Sequence, residues 1–362
     1  MRRLTCQLSA YPDYLVYRMG LDFAGKYHTD AEYRNMQWKQ ILRWMDGKFG
    51  QWGCGMPDPP DSYSPVTLAS VHLFSWLFGS QVVYSALQFP ETPVYPLADM
   101  DDLFAFNPES AIVRERLEGL LGATRSLIDK HGPNAVTVPF HSAEMDGIYD
   151  LENTHCPLTI AYKLFGERIL LEIYDNPEGV AHVFREIMNM TRDMGERFRM
   201  IAGLEKPRHV LMSACSACFV SPEHWERMVM PLVEEYCGER PVFFHSCGSV
   251  NSHLPAFGRL GEKLPFLKFD CRESAGIDIQ AAARAMPGVE ISYMMSPALC
   301  LTRTPEDMAM AVRKAVNDAG DSPMNLILML PHDTPDAIVD AFFQTCVEMG
   351  AEPRKNAGFR FV

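Results

Sequence analysis

The segment PVFFHSCGSV, residues 241–250, places a histidine and a cysteine two positions apart at the end of an apolar run. Successive side chains of an extended segment point to opposite faces, so His245 and Cys247 point the same way. Imidazole and thiolate together suit Zn²⁺, and Gly248 lets the backbone turn sharply after them. The pair therefore indicates a metal site, with a nucleophile or ordinary packing as the alternatives.

Further residues with chemical potential follow the other apolar runs of the chain. They are His141 and Glu144, Cys215 and Cys218, Asp270, Cys271 and Glu273, Ser296, and His332 and Asp333. Cys271 and His332 are candidates for a third metal ligand, and Asp270, Glu144 and His141 for a general acid and base set. The Cys-x-x-Cys pair Cys215 and Cys218 could be redox-active or ligating. We expect it to be structural, because SACSAC is a run of small residues, as close packing under a loop often requires. The residue types and their positions do not decide which residue is the third metal ligand.

The elements that must position these residues are short apolar runs alternating with amphipathic helices. The runs are NAVTVPF, HVLMSA, PVFFHS, PFLKFD, VEISYM and NLILML. This alternation predicts parallel βα units whose strands are buried on both faces. With two more strands in the N-terminal third, GSQVVYSALQF being one candidate, the α/β chain is predicted to be a TIM (β/α)8 barrel. A doubly wound sheet is the alternative, and no Gly-x-Gly-x-x-Gly follows a strand to support dinucleotide binding.

The first hundred residues have a different pattern from the rest. Trp38, Ile41, Leu42 and Met45 form one apolar stripe at helical spacing, and loops rich in Gly and Pro follow. We predict an N-terminal helical elaboration over residues 1–108, packed on the barrel and with room for its first strand, and a barrel body over residues 109–362. The aromatic N-terminal helices would suit a homodimer interface.

Composition excludes several classes of function. The 362 residues carry a net charge of −13 without a cluster of Lys and Arg, which argues against nucleic acid as a partner. No run of about 18 apolar residues exists, so we expect no membrane span. The N-terminal MRRLTCQLSAYPDY is interrupted by Thr5, Gln7 and Ser9 and does not fit a secretory signal. Ten cysteines without a disulfide framework indicate reduced thiols in a cytoplasmic protein.

Five stretches carry a resemblance to a known family. They resemble the uroporphyrinogen decarboxylase superfamily, and specifically its corrinoid-linked methyltransferase branch, over about residues 135–345. The stretches are HSCGSV, FVSPEHWERMVMPLVEEY, THCPLTIAYKLFGERILLEIYDNPEGVAHVF, TPEDMAMAVRKAV and HDTPDAIVDAF. The resemblance implies a TIM barrel. The Met-Arg-Gln-Ala-Gly-Arg stretch with which the decarboxylases hold substrate carboxylates does not occur here, which argues against porphyrin decarboxylation.

The resemblance implies a methyltransferase that moves a methyl group between a small molecule, as donor or acceptor, and a corrinoid (cobalamin) protein. The branch binds zinc through His-x-Cys and a later Cys after the last strand, and the zinc makes a thiol a thiolate nucleophile. His245 and Cys247 match, but the later stretch reads LILMLPHDTP, so His332 is the nearest ligand-type residue and Cys271 the fallback. In the demethylating direction the metal, or an acid such as Glu144 or Asp270, would activate the leaving atom.

Two other functions remain as alternatives. One is a metal-independent lyase or decarboxylase that uses Asp270, Glu144 and His141 as its acid and base set. The other is a non-catalytic corrinoid- or ligand-binding protein, which the missing Cys favours and the number of titratable residues at the rim disfavours.

Overall fold

The described residues form nine strands in one sheet, and seven of these strands, which run parallel, form the wall of the barrel. The computed structural model describes residues 3–145 and 148–354, apart from the side chains at 143–145, 149 and 299. The strands are β1 (Leu4–Ala10), β2 (His141–Met145), β3 (Ile148–His155), β4 (His209–Ser213), β5 (Val242–Ser246), β6 (Phe266–Arg272), β7 (Glu290–Met295), β8 (Met324–Leu330) and β9 (Glu352–Pro353). They lie in the order β2-β3-β4-β5-β6-β7-β8-β1-β9, with β2 antiparallel to β3 and the other pairs parallel.

Helices connect the strands and cover the outside of the sheet. They are α1 (Pro12–Met19), α2 (Lys26–Thr29), α3 (Ala31–Phe49), α4 (Ser70–Leu77), α5 (Ala111–His131), α6 (Pro157–Phe165), α7 (Arg168–Asp175), α8 (Pro177–Ala202), α9 (Pro222–His224), α10 (Met230–Cys237), α11 (Leu254–Lys263), α12 (Ile279–Ala285), α13 (Pro297–Thr302), α14 (Pro305–Asp318) and α15 (Asp336–Glu348). A π-helical turn over Trp225–Val229 joins α9 to α10. No helix in the described ranges is long and apolar enough to cross a membrane.

The alternation of side chains along each strand separates two environments. The outward residues of β1, such as Cys6 and Leu8, belong to the large apolar core between sheet and helices. The inward residues fill the barrel itself. They form one small apolar cluster of Leu151, Leu211 and Phe243, and a second of Met294, Ile327 and Met329. Polar inward residues lie between these clusters, so the barrel interior is a polar and apolar mixture rather than a uniform apolar core.

The predicted barrel is confirmed, and five of the six predicted strands are β4 to β8. NAVTVPF is not a strand, since Val136 makes only an isolated bridge to Tyr63. GSQVVYSALQF is not one either, and Val83 makes only an isolated bridge to Glu91. Among the described residues, no ladder joins β1 to β3.

The sequence patterns missed β1, β2, β3 and β9, of which β1 and β3 belong to the barrel wall. In β1, Thr5, Gln7 and Ser9 alternate with apolar residues because they face the barrel interior, where Thr5 Oγ1 donates to Asn325 Oδ1 over 2.9 Å. In β3, IYDLENTH carries enough polar residues to be predicted as a loop. The first strand does lie within residues 1–108, and the boundary at residue 108 stays a prediction.

Glu152 explains how β3 tolerates a buried charge. Its carboxylate is 2 % exposed, between the sheet and the helices α8 and α10. It accepts hydrogen bonds from Arg199 Nη1 over 3.3 Å and from Tyr236 Oη over 2.9 Å, and it pairs with Arg240. Two guanidinium groups therefore depend on this one carboxylate.

We predict that Glu152→Ala destabilises the fold by about 3–5 kcal/mol, because it leaves Arg199 and Arg240 buried without their counter-ion. The measurement is the urea midpoint of unfolding by circular dichroism. The control is Glu226→Ala, whose carboxylate pairs with Arg259 near the surface and is expected to cost at most about 1 kcal/mol. Equal midpoints for the two variants would contradict the prediction.

Candidate metal centre

Three potential metal ligands converge at the carboxyl ends of β4 and β5. They are Cys215, His245 and Cys247, and their ligand atoms all lie within 4.8 Å of one another. His245 is buried, and both cysteines are half-buried. Within the described ranges no other group of three or more His, Cys, Asp or Glu side chains meets the same condition. The arrangement can offer two sulfur atoms and one imidazole nitrogen to a single ion.

Strand register brings the three residues together. Ser213 of β4 pairs with His245 of β5, and Ala214 N donates to His245 O over 2.7 Å, so the two strands leave the sheet side by side. Leu211 and Phe243 face the barrel interior. Cys215 follows Leu211, and Cys247 follows Phe243, by an even number of residues, so each cysteine continues the inward face of the strand that precedes it. The same face of two adjacent strands therefore ends in Cys215 and in Cys247.

Gly248 is required by the packing next to the cysteines. A Cβ atom there would lie 2.4 Å from Cys218 Sγ and 3.2 Å from Cys215 O, so any larger residue would displace the loop that carries both thiols. Cys218 Sγ itself donates to Cys215 O over 3.5 Å. The sharp turn predicted at Gly248 thus has a further cause, which is the close approach of the β4 loop.

Asp270 of β6 contacts the Nδ1 side of the His245 imidazole. Its Oδ2 lies 3.0 Å from His245 Nδ1, and both groups are buried. Burial alone lowers the pKa of His245, but the charge of the Asp270 carboxylate and its hydrogen bond outweigh burial and raise the pKa to about 9. Because Nδ1 faces Asp270, Nε2 is left for the sulfur atoms. A carboxylate behind a ligating histidine is the arrangement that fixes the ring in metal sites.

The pKa values of the two thiols, Cys215 and Cys247, are shifted in opposite directions. A hydrogen bond from Cys215 lowers the pKa of Cys247 to about 4, helped by the His245 imidazolium and despite burial. The same hydrogen bond and burial raise the pKa of Cys215 well above its usual value. Without a metal, the site is therefore a Cys247 thiolate beside a protonated His245, and a metal ion has to displace the protons of His245 and Cys215.

His155 is a site residue that the sequence analysis missed. It ends β3, pairs in register with Ser213, and its Nδ1 lies 2.5 Å from Ser70 Oγ of α4. Burial and the nearby His245 charge lower its pKa to about 3, so its ring is neutral at pH 7. Assigning NTHCP to a loop hid this histidine, although its place directly before a Pro-led helix marked the end of a strand.

The structure does not place Cys271 or His332 with the three ligands. Cys271 directly follows Asp270 on β6, so it points to the opposite face, where it is 1 % exposed in the outer apolar core. His332 Nδ1 lies 3.3 Å from Asp13 Oδ2 and its Nε2 lies 2.9 Å from Asp333 Oδ2. The third potential ligand in the structure is Cys215, whereas the sequence analysis chose Cys271 or His332 and expected Cys215 to be structural.

His141 does not lie with Asp270 either. His141 and Glu144 belong to β2, which runs away from the thiol end of the barrel. His141 Nε2 lies 3.3 Å from Asp150 Oδ1. Asp150 lines a cavity of about 590 Å³ at the amino ends of the strands, opposite the thiols. The Glu144 side chain lies outside the described part. Of the predicted acid and base set, Asp270 therefore lies at the mouth and His141 does not, and the role of Glu144 stays a prediction.

The family follows from comparison with known proteins. Residues 66–348 match the family described as uroporphyrinogen decarboxylase (URO-D). The chain belongs to this family. No curated protein matches the sequence. Among solved structures the URO-D chain is similar to a methyltransferase from Methanosarcina mazei, with a TM-score of 0.63 and 13 % identity over 97 % of this chain and 95 % of the other. At this identity the likeness shows a shared fold, and it agrees with the predicted barrel.

We predict that Cys215→Ser, His245→Ala and Cys247→Ser each abolish stoichiometric zinc binding, because each removes one of three protein ligands. Bound metal is measured by mass spectrometry on untagged protein. Cys271→Ser and His332→Ala are the matched controls and should keep about one zinc per chain. Loss of zinc in Cys271→Ser with retention in Cys215→Ser would reverse the assignment.

We predict that Asp270→Asn weakens zinc binding about 10- to 100-fold, because the ring of His245 loses the carboxylate that orients it. Wild-type affinity should rise as the pH increases from 6 to 9, since His245 stays protonated up to its pKa of about 9 and zinc must displace that proton. Competition with a chromophoric chelator at several pH values measures both effects. An affinity independent of pH would contradict the protonation state described for His245.

Proposed function

We propose that this chain is a metal-dependent methyltransferase that moves a methyl group between a small molecule and a corrinoid carried by a partner protein. The observation that carries the proposal is the convergence of Cys215, His245 and Cys247 at the carboxyl ends of the barrel strands. Catalytic residues of TIM barrels lie at this end. Membership in the URO-D family and the fold shared with a methyltransferase support the same reading.

The donor set fits zinc. Two thiolates and one imidazole are ligands that zinc prefers, and three protein ligands leave one position for a substrate. Cys218 is not one of the residues whose ligand atoms all lie within 4.8 Å of one another, although it lies beside them. A fourth protein ligand would make the site structural, so its absence from the group favours a catalytic role.

The residues around the site prepare it for that ion. Asp270 keeps Nδ1 of His245 occupied and so directs Nε2 toward the thiols. Cys215 and Cys247 lie close enough to share a proton, and losing it gives the second thiolate. A bound zinc would lower the pKa of a substrate thiol or polarise the atom that carries the methyl group.

A metal-independent lyase has less support. Its acid and base set would need His141 near Asp270, but His141 lies in β2 and contacts Asp150 at the opposite end of the barrel. The decarboxylase-type alternative therefore lacks one of its three predicted groups at the mouth, and the side chain of Glu144 lies outside the described residues.

We predict that the purified, untagged protein contains about one zinc per chain and transfers methyl groups to or from cobalamin. The assay follows cobalamin absorbance with a panel of O-, N- and S-methylated small molecules, and with methylcobalamin and thiols for the reverse direction. Chelation should abolish the transfer and zinc should restore it, because the thiolate set acts through the ion.

Two results would overturn the proposal. Turnover that survives chelation would favour a metal-independent reaction. Bound zinc and bound corrinoid without turnover across the panel would favour a binding protein. Cys271→Ser is the matched control, since its thiol faces the outer core, and it should keep the wild-type rate.

A further inference from the structure

Arg272 is the last residue of β6 and points into the mouth of the barrel. It lies two positions after Asp270, on the same face of the strand. Its register partner on β7 is Met294, which belongs to the interior cluster with Ile327. The His245–Asp270 pair lies one layer below, and Cys247 follows β5 at the level of Arg272. The guanidinium group and the thiols therefore belong to the same end of adjacent strands.

The guanidinium group of Arg272 has no acceptor among the described residues. It forms no hydrogen bond or ion pair within the described ranges, and its Nε is buried without a partner. The neighbouring Arg303 differs, since its Nη2 lies 2.5 Å from Glu273 Oε1. Glu273 also accepts a hydrogen bond from Ser296 N over 3.1 Å. Buried polar groups are nearly always satisfied, so an unpaired arginine facing a mouth indicates an acceptor that comes from outside.

The charge of Arg272 is close to the thiols. Beside the hydrogen bond from Cys215, the Arg272 charge contributes to the lowered pKa of Cys247. The chain as a whole carries −13, so this positive position is a local feature of the mouth.

We propose that Arg272 binds a carboxylate of the small-molecule substrate and so selects methylated carboxylic acids. The planar guanidinium group matches a carboxylate with two parallel hydrogen bonds, and the neighbouring thiols place the metal beside it. The identity of this ligand as the methyl substrate rests on the proposed function. The binding of a carboxylate by Arg272 next to Cys247 does not depend on the proposed function.

The experiment compares alkylation of Cys247 by iodoacetate and by iodoacetamide, which differ only in a carboxylate and a carboxamide. In both reactions the sulfur forms a bond to carbon and iodide leaves. Full-length protein as purified is used, the rate at Cys247 is followed by peptide mass spectrometry, and the ratio of the two rates is divided by the same ratio for glutathione. A changed thiol pKa alters both rates equally and cancels in the ratio.

We predict a normalised ratio above one for the wild type, and a fall of about tenfold in Arg272→Gln, as expected for the loss of one charge-assisted hydrogen bond. Arg272→Lys should keep most of the preference, because it keeps the charge. Arg284→Gln in α12 is the exposed control and should have the wild-type ratio. An unchanged ratio in Arg272→Gln would overturn the proposal, as would a wild-type ratio of one.

The methyl-transfer assay separates this inference from the proposed function. With methoxybenzoate and methoxybenzamide as matched donors, Arg272→Gln should raise KM for the acid and leave the amide unaffected. A fall in the alkylation ratio without methyl transfer to any donor would leave the carboxylate site standing and would refute the methyltransferase. Methyl transfer from both donors with equal KM would refute the substrate class alone.

Discussion

The hydrogen bond between His245 and Asp270 is the interaction on which the site depends. It joins two adjacent parallel strands at their carboxyl ends and keeps a charged pair inside the barrel. Buried ions are costly unless they are paired, so the fold must hold β5 and β6 in one register for both groups to be satisfied. The same register carries Cys247 and Arg272 to the rim, and the β4–β5 register adds Cys215. The chemistry at the mouth is therefore a consequence of how three strands are aligned.

The interior of this barrel is partly polar, whereas most barrels are filled with branched apolar side chains. Thr5, Asn325 and Ser292 form a hydrogen-bonded row, with Asn325 Nδ2 donating to Ser292 Oγ over 3.2 Å. In register, this row continues through Asp270 to His245. A polar row of this kind has low solvent access and fixed dipoles.

What the sequence could predict was set by the period of the strands. The apolar run of β8 predicted a strand that is buried on both faces. The alternation of side chains along a strand placed His245 and Cys247 on one face. The same rule, applied to Asp270 and Cys271, shows that consecutive residues cannot both face the interior, and it would have removed Cys271 as a ligand. β3 could not be found in this way, because its buried carboxylate, Glu152, depends on partners more than 40 residues away in the chain.

The origin of the third thiol also has a consequence for where a substrate can lie. The pattern implied by the resemblance takes the third ligand from the last strand, on the β8 side of the mouth. Here that position is His332, which is held by Asp13 and Asp333, and the third candidate ligand comes from β4. With both thiols on the β4 and β5 side, the approach from β6 is left without a protein ligand, and Arg272 stands there. On the proposed function, the change of ligand strand and the unpaired arginine are two parts of one rearrangement. Moving the metal's protein ligands to one side leaves the other side for an anionic substrate.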